Sequence, residues 1–167
     1  MLTSKMIDAL NVQINKEFYS SYLYLAISAY FDEQNLNGMA GWMRVQSAEE
    51  YDHGMKFLDF IQATGGRVKL DKIDAPTFEW KSPQAAFENA LEHEKYVTKS
   101  IHDLVDLALS EKDYATNNFL GWFVTEQVEE EQTASDIIEK FKLIGDNKNG
   151  LYMLDKELGA RTASPGA

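Results

Sequence analysis

The sequence predicts an all-α protein: a four-helix bundle with a long connection between its second and third helices and a short fifth helix at the C-terminal end. Four long segments repeat apolar residues at helical spacing, and each is bounded by residues typical of helix ends. About 17 irregular residues separate the second helix from the third, which is long for a compact domain. Extended at ~3.3 Å per residue, this segment can span a helix of about 40 Å. It can therefore cross the bundle and make the second and third helices parallel.

The first two helices are predicted to form an antiparallel hairpin. The first begins near Thr3 or Ser4, which can cap it, and runs to about Asp32 before a turn that ends at Gly38. The second has Asn37 as a plausible cap and ends at the Thr64-Gly65-Gly66 sequence, because glycine favours the backbone conformation that closes a helix.

The third and fourth helices are predicted to form a second hairpin. Ser82 followed by Pro83 is a cap residue followed by proline at the first helical position, and this helix continues to about Glu111. Asp113 can cap the fourth helix, which runs to about Ile144 and stops at Gly145. Residues 151–158 are predicted to form the short fifth helix, and residues 161–167 a disordered tail.

Composition limits the function classes. The 167 residues are 44 % apolar and suit one domain, here residues 1–160. The formal charge of −11 argues against nucleic acid or an anionic membrane as a partner and favours cations. The absence of cysteine excludes disulfides, thiolate metal sites and cysteine nucleophiles. With charged residues throughout the first thirty positions and no long apolar span, we expect a cytoplasmic protein.

Each of the four long helices carries a metal-ligating side chain inside its apolar stripe and near its midpoint. These residues are Glu17, then Glu50 with His53, then Glu94, then Gln127 with Glu130. On the fourth helix, Glu126 and Glu130 are predicted to lie on the apolar face, with Gln127 at its edge. A single glutamate on a helix is normally solvated, and a single histidine is more often structural than a ligand. Burial of several carboxylates at one level costs several kcal/mol each unless a cation neutralises them, which favours bound metal.

The spacing of Glu50 and His53 suggests which metal binds. Glu-x-x-His on an inward helical face directs a carboxylate and an imidazole to one point, as in di-iron carboxylate bundles. Carboxylate oxygens with one imidazole suit iron or manganese better than copper or magnesium, and zinc could compete. Glu50 lies centrally in the set and is the natural bridging ligand between two ions.

On these residues the chain resembles the ferritins, and most closely the haem-free bacterial ferritins, from Met1 to about Leu158. The resemblance includes Tyr24 and the segments 49–53 and 126–130. It implies a ferroxidase centre with Glu17, Glu50 and His53 around one iron, Glu50, Glu94 and Glu130 around a second, and Gln127 close by. It also implies a third iron site at Glu49, Glu126 and Glu129.

The resemblance further implies iron storage. Two Fe²⁺ would bind between the hairpins, O₂ or H₂O₂ would accept their electrons, and Fe³⁺ would move to a mineral inside a hollow shell of 24 identical subunits. Tyr24 would hydrogen-bond to the site or donate an electron, although ordinary core packing explains it equally well. Asp52 stands where the related bacterioferritins use a methionine to bind haem, so we expect no haem. Gln127-x-x-Glu130 replaces a second Glu-x-x-His, which predicts looser binding at the second iron.

Two other functions remain open at this point. A discrete di-iron oxidase or peroxidase would act on a small molecule without storing mineral, and a purely structural bundle would bind no metal. The size of the assembly separates storage from a discrete enzyme, and iron titration identifies a structural bundle.

Overall fold

The computed structural model describes residues 2–162 and confirms the predicted all-α class. Its helices are α1 (Ser4–Glu33), α2 (Asn37–Ala63), α3 (Pro83–Glu111), α4 (Tyr114–Ile144) and α5 (Lys148–Leu158). Three of the predicted caps are confirmed: the side chains of Thr3, Ser82 and Asp113 each accept a hydrogen bond from a backbone N–H in the first turn of α1, α3 and α4. These caps fix where the two hairpins begin.

The predicted cap of α2 was wrong. Asn37 is already helical, and the cap position belongs to Leu36, which makes no side-chain hydrogen bond. The N–H of Met39 instead donates to Asp155 Oδ1 at 2.8 Å, so a carboxylate from α5 stabilises this helix end. A contact between distant parts of the chain has replaced a local one.

Helix α5 begins earlier than the predicted start at Leu151. Asn147 accepts hydrogen bonds from the N–H groups of Asn149 and Gly150 and thereby caps a helix that starts at Lys148. Its far end lies against the start of α2, where a Cβ added to Gly38 would lie 1.8 Å from the Asp155 carbonyl oxygen. Only glycine allows this close approach, and α5 is thereby held on α2.

The two hairpins pack antiparallel to one another. Phe18 stacks on Tyr51 across α1 and α2, and Phe87 contacts Phe141 across α3 and α4. Pairs between α1 and α3 run in opposite directions along the chain: Gln13 meets Ser100, whereas Tyr24 meets Glu94. Helices α2 and α3 are therefore parallel, as the long connection predicted.

The connection between α2 and α3 runs along the outside of α1. The side chain of Asn11 anchors this connection through both of its polar atoms. Its amide nitrogen donates to the Arg67 carbonyl oxygen at 3.0 Å, and its amide oxygen accepts a hydrogen bond from the Lys69 N–H at 2.6 Å. Further along α1, the hydroxyl of Tyr30 donates to the Trp80 carbonyl at 3.1 Å. These anchors satisfy backbone groups that no secondary structure pairs.

The core consists of two apolar clusters with a polar layer between them. One cluster surrounds Phe31, Met43 and Phe87, and the other surrounds Leu10, Phe57 and Ile101. Buried polar and charged side chains occupy the middle of the bundle, where each long helix contributes at least one. The two apolar clusters separate this layer from water at both ends.

The residues after α5 turn back towards the bundle. Arg161, placed by the sequence at the start of a disordered tail, lies against Gln46, Glu49 and Trp42 of α2. Residues 163–167, the rest of that tail, lie outside the described residues. In the described part of the chain, none of the helices is long and apolar enough to cross a membrane. The expected cytoplasmic location stays a prediction.

Candidate metal centre

Five side chains from all four long helices meet in the polar layer. Glu17, Glu50 and His53 form one trio and Glu50, Glu94 and Glu130 form another; in each trio, the ligand atoms all lie within 4.8 Å of one another. All five side chains are buried. Glu50 belongs to both trios, which is the geometry expected of a bridging ligand between two ions.

Helix α4 is rotated slightly from the orientation that the sequence predicted. The prediction placed Glu126 on the inner face and Gln127 at its edge, but Gln127 is 3 % exposed and Glu126 is only half-buried. The buried stripe runs through Phe123, Gln127, Glu130 and Ala134 at alternating three- and four-residue steps. This spacing keeps one face toward the neighbouring helices over the whole length of α4.

Burial raises the pKa of each carboxyl group in the centre. Loss of hydration is the largest cause for Glu94 and Glu130, and the pKa of each rises to about 8. Burial, reinforced by the charge of Glu130, raises the pKa of Glu50 well above its ordinary value, and burial also raises that of Glu17. The protein thus holds together four carboxylates whose ionised forms need a positive partner.

Two buried glutamines orient three of these carboxylates. Gln13 donates to Glu17 Oε1 at 2.7 Å, and its own carbonyl oxygen accepts a hydrogen bond from the hydroxyl of Ser100. Gln46 donates to Glu50 Oε1 at 2.9 Å and to Glu130 Oε2 at 2.7 Å. Neither glutamine was predicted to have a role, although each lies four residues before a ligand glutamate on the same helical face.

Both carboxylate oxygens of Glu94 accept hydrogen bonds. Tyr24 donates its phenolic hydrogen to Glu94 Oε1, and Gln127 donates to Glu94 Oε2 at 3.0 Å. Burial and the neighbouring charge of Glu94 raise the pKa of Tyr24, so the phenol stays protonated and remains a donor. Gln127 contacts the centre through this hydrogen bond, and its role as a ligand stays a prediction.

The imidazole of His53 is fixed by aromatic rings. Nδ1 lies 3.4 Å from Glu50 Oε2, and the rings of Trp122 and Phe123 make edge-to-face contacts with the imidazole. Among the described residues, Nε2 is buried with no hydrogen-bond partner. A ring held in this way presents Nδ1 toward the carboxylates, where it can act as a neutral nitrogen ligand.

Comparison with known proteins agrees with this geometry. The family model described as the ferritin-like domain matches residues 7–144, which include all five side chains of the two trios. The chain belongs to the ferritin family. It is 45 % identical to a bacterial non-heme ferritin of Bacteroides fragilis over 161 residues, which cover 96 % of this chain and all of that protein.

Other ferritins are similarly related to the chain. A bacterial non-heme ferritin of Campylobacter jejuni is 42 % identical, with 93 % of each chain covered. A solved structure of an open-pore ferritin from the archaeon Archaeoglobus fulgidus is 56 % identical, with 97 % of this chain and 100 % of that chain covered, at a TM-score of 0.96. The bundle with its fifth helix is therefore a ferritin subunit fold over nearly the whole chain.

The remaining predicted ligands of this ferritin lie beside the two trios. Glu49 is buried and forms an ion pair with Arg161, Glu126 is half-buried, and Glu129 is exposed. Burial raises the pKa of Glu126, and the charges of Glu129 and Glu49 add to the rise. Within residues 2–162, however, their oxygens do not form a trio as tight as the other two.

Proposed function

We propose that the chain is an iron-storage ferritin subunit with ferroxidase activity, which oxidises Fe²⁺ to Fe³⁺ with O₂ or H₂O₂ at a two-iron centre. The observation that carries the proposal is the pair of buried trios that share Glu50. Carboxylate oxygens with one imidazole are a donor set suited to iron. The relatives named as bacterial non-heme ferritins support the choice of iron as substrate.

Charge balance supports two ferrous ions as the bound pair. The trios contain four glutamates in total and one histidine, so two divalent ions neutralise the ionised carboxylates. One position uses Glu17, Glu50 and His53, and the other uses Glu50, Glu94 and Glu130. Since the second position has no imidazole, we expect it to bind iron more weakly than the first.

The electron balance of the reaction follows from two irons. Each Fe²⁺ releases one electron, and O₂ accepts two electrons and two protons to become H₂O₂; with H₂O₂ as the oxidant, the same two electrons and two protons give two molecules of water. Protonated carboxyl groups such as Glu94 and Glu130 release their protons when a cation binds. The hydroxyl of Tyr24 and the amide of Gln127 hold Glu94 in place throughout.

Oxidation leaves the charge of the centre unbalanced. Two Fe³⁺ carry six positive charges against the four negative charges of the carboxylates, so the ferric pair needs further anions, such as hydroxide from water, in addition to the ligands of the protein. Glu49, Glu126 and Glu129 are the neighbouring carboxylates, and Glu129 is exposed. We propose that they form a third, weaker iron position through which Fe³⁺ leaves the centre for a mineral.

The test of ferroxidase activity compares the chain with two variants. Fe²⁺ is added in air and the ferric absorbance is followed with the wild type, with Glu50→Ala and with Glu33→Ala, which removes an exposed carboxylate far from the trios. We expect fast oxidation with the wild type and Glu33→Ala, and a large loss with Glu50→Ala. A wild type no faster than uncatalysed oxidation, and unaffected by Glu50→Ala, would refute the proposal.

Storage needs an enclosed volume, and we propose a shell of 24 subunits. With 19.0 kDa per chain, such a shell has a mass of about half a megadalton, whereas a discrete di-iron oxidase or peroxidase would elute as a monomer or dimer. A small species would exclude mineral storage inside a shell and would favour the discrete enzyme. The absence of haem, expected from Asp52, stays a prediction and is checked by the absorption spectrum of the purified protein.

A further inference from the structure

The segment that follows α5 brings a positive charge to the edge of the metal centre. Arg161 donates from Nη1 to Gln46 Oε1 at 2.8 Å and from Nη2 to Glu49, and its guanidinium group lies 4.3 Å from the centre of the Trp42 ring. Its side chain is 22 % exposed. Three contacts with α2 thus hold one arginine in a single orientation.

The contact with Gln46 determines which way its amide group faces. A guanidinium group can only donate, so the atom of Gln46 that faces Arg161 must be the carbonyl oxygen. The amide nitrogen then faces the opposite side, where it donates to both Glu50 Oε1 and Glu130 Oε2. The reverse orientation would place a carbonyl oxygen against two carboxylates and an amide N–H₂ against a guanidinium group, which is unfavourable on both sides.

We propose that Arg161 is a positioning residue of the metal centre: by fixing the orientation of the Gln46 amide, it holds Glu50 and Glu130 at the spacing that their shared metal position requires. This inference rests on the proposed function, because it concerns how one of the two positions is assembled. Arg161 hydrogen-bonds to Gln46, and Gln46 in turn donates to both carboxylates. The carboxylate of Glu49 serves as the anchor of Arg161.

The first test measures metal affinity rather than activity. Co²⁺, which air does not oxidise here, is titrated by calorimetry into the wild type, Arg161→Gln and Arg67→Gln; Arg67 is exposed and lies outside the helices, so its loss gives the same charge change. Loss of a residue that orients a metal ligand typically weakens binding about 10- to 100-fold. We expect that weakening at one of two positions in Arg161→Gln and unchanged binding in Arg67→Gln.

A second variant separates orientation from charge. Arg161→Lys keeps the positive charge but lacks the planar group that reaches Gln46 and Glu49 together, so it should weaken Co²⁺ binding as Arg161→Gln does. It also preserves the fold if the glutamine variant proves unstable. Wild-type affinity in Arg161→Lys would show that charge alone suffices and would overturn the inference.

A double-mutant cycle tests the route through Gln46. If Arg161 acts by orienting that amide, then Arg161→Gln should change the Co²⁺ affinity by less than about twofold in a Gln46→Leu background. A purely structural role of the C-terminal segment would instead give effects that add. Additive effects, or a full-sized loss in the Gln46→Leu background, would contradict the positioning role.

Glu49 distinguishes loss of positioning from the release of a new ligand. Glu49 belongs to neither trio, and Glu49→Gln removes the charged anchor of Arg161 without freeing a carboxylate. It should therefore weaken binding at the position that contains Glu50 and Glu130, in the same direction as Arg161→Gln. If Arg161→Gln instead strengthens binding, a freed Glu49 has become a ligand and the inference is wrong.

The two proposals also fail in different ways. A wild type that binds no Co²⁺ at the centre refutes both the metal centre and the positioning role. A wild type that binds two Co²⁺ per chain, with Arg161→Gln equal to it, refutes the role of Arg161 only.

Discussion

Replacement of Glu94 by glutamine should change how the stability of the metal-free protein depends on pH. The pKa of Glu94 is raised from 4.5 to about 8, chiefly by burial. Between these values the folded protein binds a proton at Glu94 that the unfolded chain does not bind. The free energy of unfolding therefore falls as pH rises through this range, and glutamine, which does not titrate, removes that fall.

The size of the effect follows from the shift. Each pH unit inside the range lowers the free energy of unfolding by about 1.4 kcal/mol. Because of Glu94, the free energy of unfolding of the metal-free wild type should therefore fall by about 3 kcal/mol between pH 5 and pH 7. The substitution also changes the hydrogen bonds that Glu94 makes with Tyr24 and Gln127. That effect on stability is independent of pH, so it cancels when the values at pH 5 and pH 7 are compared. From pH 5 to pH 7, the free energy of unfolding of Glu94→Gln should therefore rise by about 3 kcal/mol relative to that of wild type.

Urea unfolding in the presence of a chelator, at pH 5 and pH 7, measures the difference. With a typical m-value, 3 kcal/mol moves the midpoint by about 1 M or more. Glu33→Gln, an exposed substitution, should leave the two pH curves parallel to wild type. If the curves of Glu94→Gln and wild type are also parallel within about 0.5 kcal/mol, Glu94 has no raised pKa and the electrostatic reasoning fails.

The remaining predictions concern metal and hydrogen bonding. At pH 7, Co²⁺ at 100 times the dissociation constant of a position should raise the free energy of unfolding of wild type by about 2.7 kcal/mol for each position filled, and that of Glu94→Gln by less. Equilibrium binding of Co²⁺ at the two trios should fall from two ions per chain to one in Glu17→Gln and to none in Glu50→Gln, because Glu50 is shared by both trios. Binding at pH 7 should release protons from Glu94 and Glu130, whose pKa values are about 8, and from Glu50, whose pKa is also raised. Calorimetry in buffers of different ionisation enthalpy detects this release, and no buffer dependence would contradict the raised pKa values. Tyr24→Phe leaves a buried oxygen of Glu94 without its donor and should lower the stability of the metal-free protein by about 1–3 kcal/mol. Unchanged kinetics of Fe²⁺ oxidation in Tyr24→Phe would exclude a redox role for this tyrosine.

The helices and most of their ends could be predicted because the signals are local. Periodic apolar residues, the cap residues Thr3, Ser82 and Asp113, and the glycines after α2 and α4 act within a few residues of where they stand. The cap of α2 could not be predicted in the same way. Asp155 supplies it from α5, more than a hundred residues along the chain, and nothing in the local sequence around Asn37 signals that contact.

The ligands of the candidate site could be predicted from the sequence for a related reason. A glutamate in an apolar stripe contradicts the ordinary preference of a carboxylate for water, so Glu17, Glu50 and Glu94 were conspicuous without any structure. On α4 it was harder to predict which residue lies in the buried stripe, because Glu126 and Gln127 differ by one helical position and both are polar. Packing of Phe123 and Ala134 against the neighbouring helices decides which of them is buried.

The sequence by itself determined the class of fold, the crossing connection and the kind of ligand available, since these depend on residue type and on spacing within single helices. Only the tertiary structure decided which carboxylate oxygens lie close together and that Glu50 is shared by two trios. It also decided that Arg161 donates a hydrogen bond to the side-chain oxygen of Gln46. The physical reason is that metal-binding geometry depends on the relative rotation and height of separate helices. Those quantities are fixed by side-chain packing over the whole bundle and by contacts between residues far apart in the chain.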